Sequence, residues 1–349
     1  HAMSDKMQRI VLASRPTGEP TDENFRLETI EMPTPKEGEV LVKTHYFSLD
    51  PYMRGRMDDA KSYAAPVPID GLMEGGAVGE VIASQHPAYQ PGDFVFCMTG
   101  WATHGIASEP ALQKLDPNLA PISTALGVLG MPGFTGWYGL TELGKPKTGE
   151  TLVVAAATGP VGSMVGQIAK LRGLNVVGIA GGAEKCRMAT EVYGFDACVD
   201  HRAFETARDL RGALKEHCPK GVDIYFENVG GKVLDAVLPM MNPFGRIPLC
   251  GMIAWYNAGA LGADASTEAI TGPRLWRTIL VNFLSVNGFI ISNHYDRYPD
   301  FLREAGPALA AGKIRYVEDV AEGLESAPAA FRAMLKGGNK GKQLVKLVG

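Results

Sequence analysis

Apolar and polar residues alternate through the first fifty positions. Gln8–Leu12, Phe25–Glu31 and Glu39–His45 each read as a short strand, and the Pro/Gly clusters at 16–20 and 33–38 read as turns. Gly75–Ala83, Gly92–Cys97 and Trp101–Ala107 continue this pattern, so a Gly-rich β domain is predicted for the first third. Near Pro121 the pattern changes, and Ser123–Gly130 and Gly133–Leu143 read as helices. Thr151–Ala157 is an unbroken apolar run, as in a strand buried on both faces of a parallel sheet. From Val161 the spacing is helical, with Val165, Ile168, Ala169 and Leu171 on one face. Further strands are expected at Asn175–Ala180, Ala197–Val199, Val222–Phe226, Gly245–Cys250 and Val286–Ile291. Helices fall between them at Ala183–Tyr193, Ala207–His217, Lys232–Met240 and Thr271–Asn282.

Six strands with intervening helices predict a doubly wound parallel sheet, an α/β fold of Rossmann type. The tail adds a helix at Tyr298–Ala311, a strand-like Ile314–Val320, a helix at Ala327–Lys336 and a closing strand at Lys342–Leu347. The two ends are therefore expected to form one β-rich catalytic domain (4–125 and 310–349). The cofactor domain (126–309) would be an insertion, and the cleft between them the active site.

Length supports this division, since 349 residues exceed the usual single core. A formal net charge of −4 gives no basic footprint for nucleic acid. The five cysteines are scattered and contain no CxxC pair, which argues for a reducing compartment and against a disulfide framework or structural zinc. His1–Met3 reads as a cloning remnant. Neither a signal-peptide pattern nor a bilayer-length apolar run is evident, so a cytoplasmic location without membrane partners is expected.

The candidate chemistry centres on Ala157-Thr-Gly159-Pro160-Val161-Gly162, the dinucleotide fingerprint with Ala for its first Gly. Gly159 would let the backbone approach a pyrophosphate, and Gly162 would seat the helix on the strand. The N–H groups of the helix start would then hold the phosphates. An acid that binds the ribose is expected about 20 residues further on. The strand end Val177–Gly182 contains none, and Lys185 follows within a turn. A missing carboxylate removes repulsion toward a 2′-phosphate, which favours NADP(H).

Six segments carry a resemblance: Leu49–Arg54, Gly130–Thr135, Ala155–Gly173, Tyr225–Gly231, Cys250–Asn257 and Asn339–Lys342. On these the chain resembles the zinc-independent medium-chain dehydrogenase/reductase superfamily. Within it, the chain looks like the prostaglandin reductase, leukotriene B4 12-hydroxydehydrogenase and alkenal double-bond reductase branch. It is most similar there to bacterial NADPH-dependent curcumin reductases. The resemblance implies a Rossmann domain inserted into a β-rich GroES-like domain, and a homodimer. Where the zinc alcohol dehydrogenases carry Gly-His-Glu, Gly71–Glu74 has Leu-Met in place of the His, so no metal is expected.

The resemblance also assigns roles to single residues. Lys185 matches the family's 2′-phosphate lysine, while His201 stands where the family has a Tyr, leaving His201 and Arg202 as open helpers and Glu184 as an opposing charge. Asn228, Cys250, Gly251, the strand end Phe289, Ile290 and Ile291, and Asn339 are implied cofactor contacts. Tyr52, Met53 and Tyr63 are candidates for a substrate pocket or for core packing. Tyr256, after Cys250–Trp255 at a strand's carboxyl end, is the candidate proton donor. The implied activity is reduction of an activated alkene by hydride transfer to its β-carbon. A zinc-free quinone reductase and a non-catalytic NADPH-binding protein remain as alternatives.

Overall fold

The computed structural model describes residues 5–258 and 272–348. Contacts divide the chain into two compact units. One holds the residues up to Gly127, a short segment that begins at Tyr256 and those from Glu318 onward; the other holds Val128–Trp255 and the segment ending at Val317.

In the first unit β1 (Lys6–Leu12) pairs antiparallel with β2 (Phe25–Glu31). Then follow β3 (Val40–Ser48), the single-turn helix α1 (Met53–Arg56), β4 (Ala77–Ser84), β5 (Phe94–Cys97), β6 (His104–Ala107) and β7 (Gln113–Leu115). The second unit opens with α2 (Met131–Tyr138) and β8 (Thr151–Ala155), followed by α3 (Pro160–Leu171) and β9 (Asn175–Ala180). Next come α4 (Ala183–Glu191), β10 (Ala197–Asp200), α5 (Ala207–Lys215), β11 (Val222–Phe226) and α6 (Gly231–Val237). It closes with β12 (Met241–Leu249), α7 (Gly272–Val281), β13 (Ser285–Gly288) and α8 (Tyr298–Ala310). The chain then returns to the first unit with β14 (Glu318–Glu322), α9 (Ala327–Leu335) and β15 (Lys342–Lys346).

The order β14-β15-β3-β4-β5-β7, with β6 beside β3, places the last strand inside the first unit's sheet. Its core is aromatic. Trp101 stacks on Phe25 at 5.5 Å and on Phe47 at 6.2 Å, and Phe331 of α9 meets it edge-on at 5.5 Å.

The second unit's sheet runs β10-β9-β8-β11-β12-β13, parallel throughout. The order reverses between β8 and β11, and ligands of such sheets bind at the carboxyl ends beside that reversal. A strand forms at each of the six apolar runs, though β12 starts earlier, at Met241, and β13 stops at Gly288, short of Ile291. Among the described residues no helix is long and apolar enough to cross a membrane.

Three expectations change. Ser123–Gly130 is not a helix but a short 3-10 turn at Ile122–Leu126, ended by Gly127 in an irregular conformation. The helix of Gly133–Leu143 begins earlier as α2 and widens into a π-helical turn through Gly144, where Lys145 takes a left-handed conformation. Ile314 is buried with Phe301 and Ala305 in the second unit's core, and Gln167 bonds both the N–H and the carbonyl of Arg315. The unit boundary therefore falls at Val317/Glu318 rather than 309/310. Thr271, the expected first residue of α7, lies outside the described residues.

Candidate active site

The fingerprint forms a tight strand-to-helix turn. Ala156 takes a left-handed conformation (φ 51°), and Gly159 is the N-cap of α3 with Pro160 at its first position. A Cβ on Gly162 would fall 2.3 Å from the Ala156 carbonyl oxygen, so only glycine lets α3 sit this close to β8. A Cβ on Gly159 would meet nothing nearer than that same oxygen at 3.5 Å, which leaves the face of the turn open. No side chain among the described residues caps this helix start, so its N–H donors can serve an anion. Ala157 replaces the first glycine because Gly178 of β9 yields the space: a Cβ there would come within 2.7 Å of the Ala157 methyl.

Beyond β9, Gly181 and Gly182 (φ 99°) lead into α4, whose first turn carries Glu184 and Lys185. A Cβ on Gly181 would lie 2.9 Å from Arg202 Nε and 3.2 Å from His201 Nε2. Two basic side chains thus converge over the strand end at which a ribose-binding acid would project. Four bonds fix their turn. Asp200 Oδ1 accepts the N–H of both Gly182 and Arg202 at 2.9 Å. Lys232 of α6 donates to the carbonyls of His201 at 2.8 Å and Phe204 at 2.6 Å. Burial, with Lys232 and Arg202 adding to it, pushes His201 below the usual histidine range. At neutral pH the positive charge at this spot belongs to Arg202 and the neighbouring lysines.

At the order reversal, Asn228 Nδ2 donates to Ala155 O at 2.9 Å and ties the ends of β11 and β8 together. Glu227 beside it is 2 % exposed. Its carboxylate accepts from Tyr225 Oη and from Val229 N, while Oε1 has no hydrogen-bond partner among the described residues. Burial raises its pKa against the pull of those donors. The Glu227 carbonyl receives the N–H of Cys250 at 3.0 Å and of Gly251 at 3.2 Å. Ile253 and Ala254 then bond the carbonyls of Asn228 and Val229. Trp255 covers Gly230, where a Cβ would lie 2.7 Å from its ring. Tyr256 follows in the same 3-10 turn (Ile253–Ala258) and is half-buried.

The comparisons with known proteins agree along the whole chain. Residues 8–115 match the family described as the N-terminal domain of oxidoreductase, and residues 160–305 the one described as zinc-binding dehydrogenase. An NADPH-dependent curcumin reductase of Escherichia coli is 53% identical over 345 residues, covering 98% of this chain and 97% of that protein. A crystal structure of CurA in complex with NADPH from Vibrio vulnificus superposes with TM-score 0.92 at 50% identity, covering 98% of this chain and 99% of that one. An NADP-dependent 2-alkenal reductase of Nicotiana tabacum is 40% identical over 347 residues, covering 97% and 96% of the two chains. The chain belongs to the zinc-independent medium-chain dehydrogenase/reductase family. Among its described residues no group of three or more His, Cys, Asp or Glu side chains could hold a metal ion.

Within this family member the remaining candidates separate. Phe289 packs against Phe226 and Tyr138, and Ile291 is 7 % exposed, so both side chains belong to core; Ile290 caps the 3-10 turn that begins at Ile291. Asn339 donates to Gly341 O at 2.8 Å and shapes its own loop. Tyr52 and Tyr63 line a shallow surface depression with Gly55, Arg56, Ser62 and Ala64. Met53 does not join them: it is 1 % exposed and faces the first unit's core, its Cε 2.5 Å from a Cβ position on Gly75.

Sequence reasoning gave no role to Glu227, Lys232 or the buried pair of Asp50 and Lys342. Lys342 Nζ reaches Asp50 Oδ1 at 2.8 Å and Leu49 O at 2.9 Å, and Ser48 donates to the other Asp50 oxygen at 2.5 Å. Asp50 and Lys342 lie in two of the family-like segments, which was the only signal available.

Proposed function

We propose that the protein reduces the activated C=C bond of α,β-unsaturated aldehydes and ketones with NADPH, curcumin-like dienones included. One observation carries the cofactor assignment. The acid-free end of β9 lies beneath Arg202 and His201, and Lys185 is in the adjoining helical turn. That constellation suits a 2′-phosphate. The reaction class comes from the relatives, which are NADPH-dependent reductases with enal and enone substrates.

NADPH, when bound, supplies a hydride to the β-carbon of the substrate. The chain's own residues do the rest. Gly159–Gly162 and the start of α3 hold the pyrophosphate, and Asn228, Cys250, Gly251 and the backbone at Phe289–Ile291 bound the cofactor's path along the carboxyl ends of the strands. Asn339 would add a cofactor contact, and Tyr52 and Tyr63 would contact the substrate. Negative charge develops on the carbonyl oxygen as the β-carbon is reduced. The Tyr256 phenol donates to that oxygen.

The working form is a homodimer. β13 is the bare outer strand of its sheet, with all four residues exposed. Beside it Phe244, Trp276, Leu280 and Phe283 are each 60–75% exposed. A bare strand edge flanked by exposed apolar side chains pairs with a second copy. The five free thiols fit a reducing cytoplasm.

Steady-state consumption of NADPH and NADH with a panel of enals, enones and quinones tests the reading. Faster turnover of enones than of quinones, with NADPH preferred, is expected. Preference for NADH would sink the cofactor assignment, and preference for quinones the substrate class.

A further inference from the structure

Two thiols meet directly beneath the cationic end of β9. Cys198 of β10 stands in register with Gly178, and its Sγ lies 3.2 Å from a Cβ position on that glycine. Cys186, next to Lys185 in α4, has a backbone hydrogen bond with Ala180. Gly178 and Ala180 occupy the same face of β9, because strand side chains alternate. The two thiols therefore lie over the same face of one strand, Cys198 beside Gly178 and Cys186 beside Ala180. Gly178 creates the room, since any side chain there would strike Ala157, Phe195 and Cys198 at once.

The pair differs from the other three thiols. Burial pushes Cys97 and Cys218 up to about 11 and Cys250 up to about 12, which keeps them protonated and inert. Cys186 moves the other way because Cys198 donates its S–H to it, while Cys198 is itself pushed up. One nucleophile and one adjacent resolving thiol result.

We propose that Cys186 and Cys198 are a reversible redox pair that lowers NADPH affinity when joined as a disulfide. The oxidant is a low-molecular-mass disulfide such as glutathione disulfide. The Cys186 thiolate attacks one of its sulfurs and releases the first small thiol. Cys198 then loses its proton, attacks Cys186 Sγ in the mixed disulfide and releases the second. One S–S bond breaks and one forms. Two electrons pass from the protein to the small disulfide, and the two thiol protons end on the two released molecules.

The effect on cofactor follows from what each cysteine is attached to. Bringing the sulfurs to about 2.0 Å draws the first turn of α4 toward the end of β10. The first carries Lys185. The second runs into Asp200, His201 and Arg202, whose turn is held by the shared Asp200 carboxylate. The 2′-phosphate groups shift together, while the fingerprint turn at the start of α3 keeps its place. The inference rests on the NADPH reading above.

The test treats the purified protein with glutathione disulfide at neutral pH, then maps peptides by mass and measures NADPH and NADH dissociation constants. A peptide pair joined at Cys186 and Cys198, two hydrogens lighter than its parts, is expected. NADPH affinity should fall by about tenfold or more, within the usual range for coupled sites. NADH affinity should change little, and dithiothreitol should restore the original value. C186S should keep its NADPH affinity in the oxidant. Glutathione attached to Cys186 with no cross-link, or a cross-link with unchanged NADPH affinity, overturns the proposal. If the reduced protein itself fails to bind NADPH, the cofactor assignment falls and the switch falls with it.

Discussion

Arg202 lies over the end of β9 and Lys185 in the adjoining helical turn, and the proposed role of both in binding the 2′-phosphate has a separable signature on substitution. K185A and R202A are each expected to raise the NADPH Michaelis constant about tenfold or more, since a charge-assisted phosphate bond contributes about 1.5–3 kcal/mol. NADH kinetics should barely move. Equal losses with both cofactors would instead mean that the side chain holds the turn and not the phosphate. For Tyr256, replacement by Phe removes the hydroxyl and keeps the ring. A donor aimed at developing charge contributes about 2.7–4 kcal/mol in strong cases, so kcat should fall at least tenfold with NADPH affinity retained. If kcat is unchanged while a deuterated cofactor shows hydride transfer to limit the rate, Tyr256 only packs. The fingerprint and Lys185 were legible because their spacing from a strand is itself the signal. Arg202 was not, because its direction depends on bonds from Asp200 and Lys232 that connect separate elements. Met53 misled for a related reason: its neighbours Tyr52 and Tyr63 line the depression, but one turn of helix sends Met53 inward.

The elements of the second unit follow the apolar periods closely, since parallel strands buried on both faces leave uninterrupted runs. Pattern reading fails where glycine and proline cut a helical period, as between Pro121 and Gly127, and where burial decides membership, as at Ile314. The edge strand β13 illustrates a middle case. Its apolar run extends through Ile291, yet the ladder stops at Gly288 because the Phe289 ring turns in to meet Phe226 and Tyr138. If β13 carries the dimer, a charge placed on it should separate the subunits. The wild-type protein is expected to scatter light as a dimer at micromolar concentration. V286K is expected to scatter as a monomer with an unchanged circular dichroism spectrum. A wild-type monomer would refute the assembly.

Across the whole molecule the two units differ in how the chain supplies them. The second is complete once Val317 has been made. The first needs β15, which lies between β14 and β3 in its sheet and brings the lysine that neutralises buried Asp50. Removing one partner of a buried pair costs about 3–5 kcal/mol, so residues 5–127 made alone carry an unpaired charge and an unsealed strand. This sets an order of events during synthesis. The ribosome completes the nucleotide-binding unit while the N-terminal third, made first, still waits for its last strand, a delay on the order of seconds at ordinary elongation rates. Chains stalled with Val317 just outside the exit tunnel should therefore yield a protease-resistant fragment within 128–317 and rapid cleavage within 5–127. Chains released after Lys346 should protect both. Equal protection of the two regions in the stalled chains would mean that β3 closes its sheet without β15, and that the first-made part of this protein does not depend on the last-made part to fold.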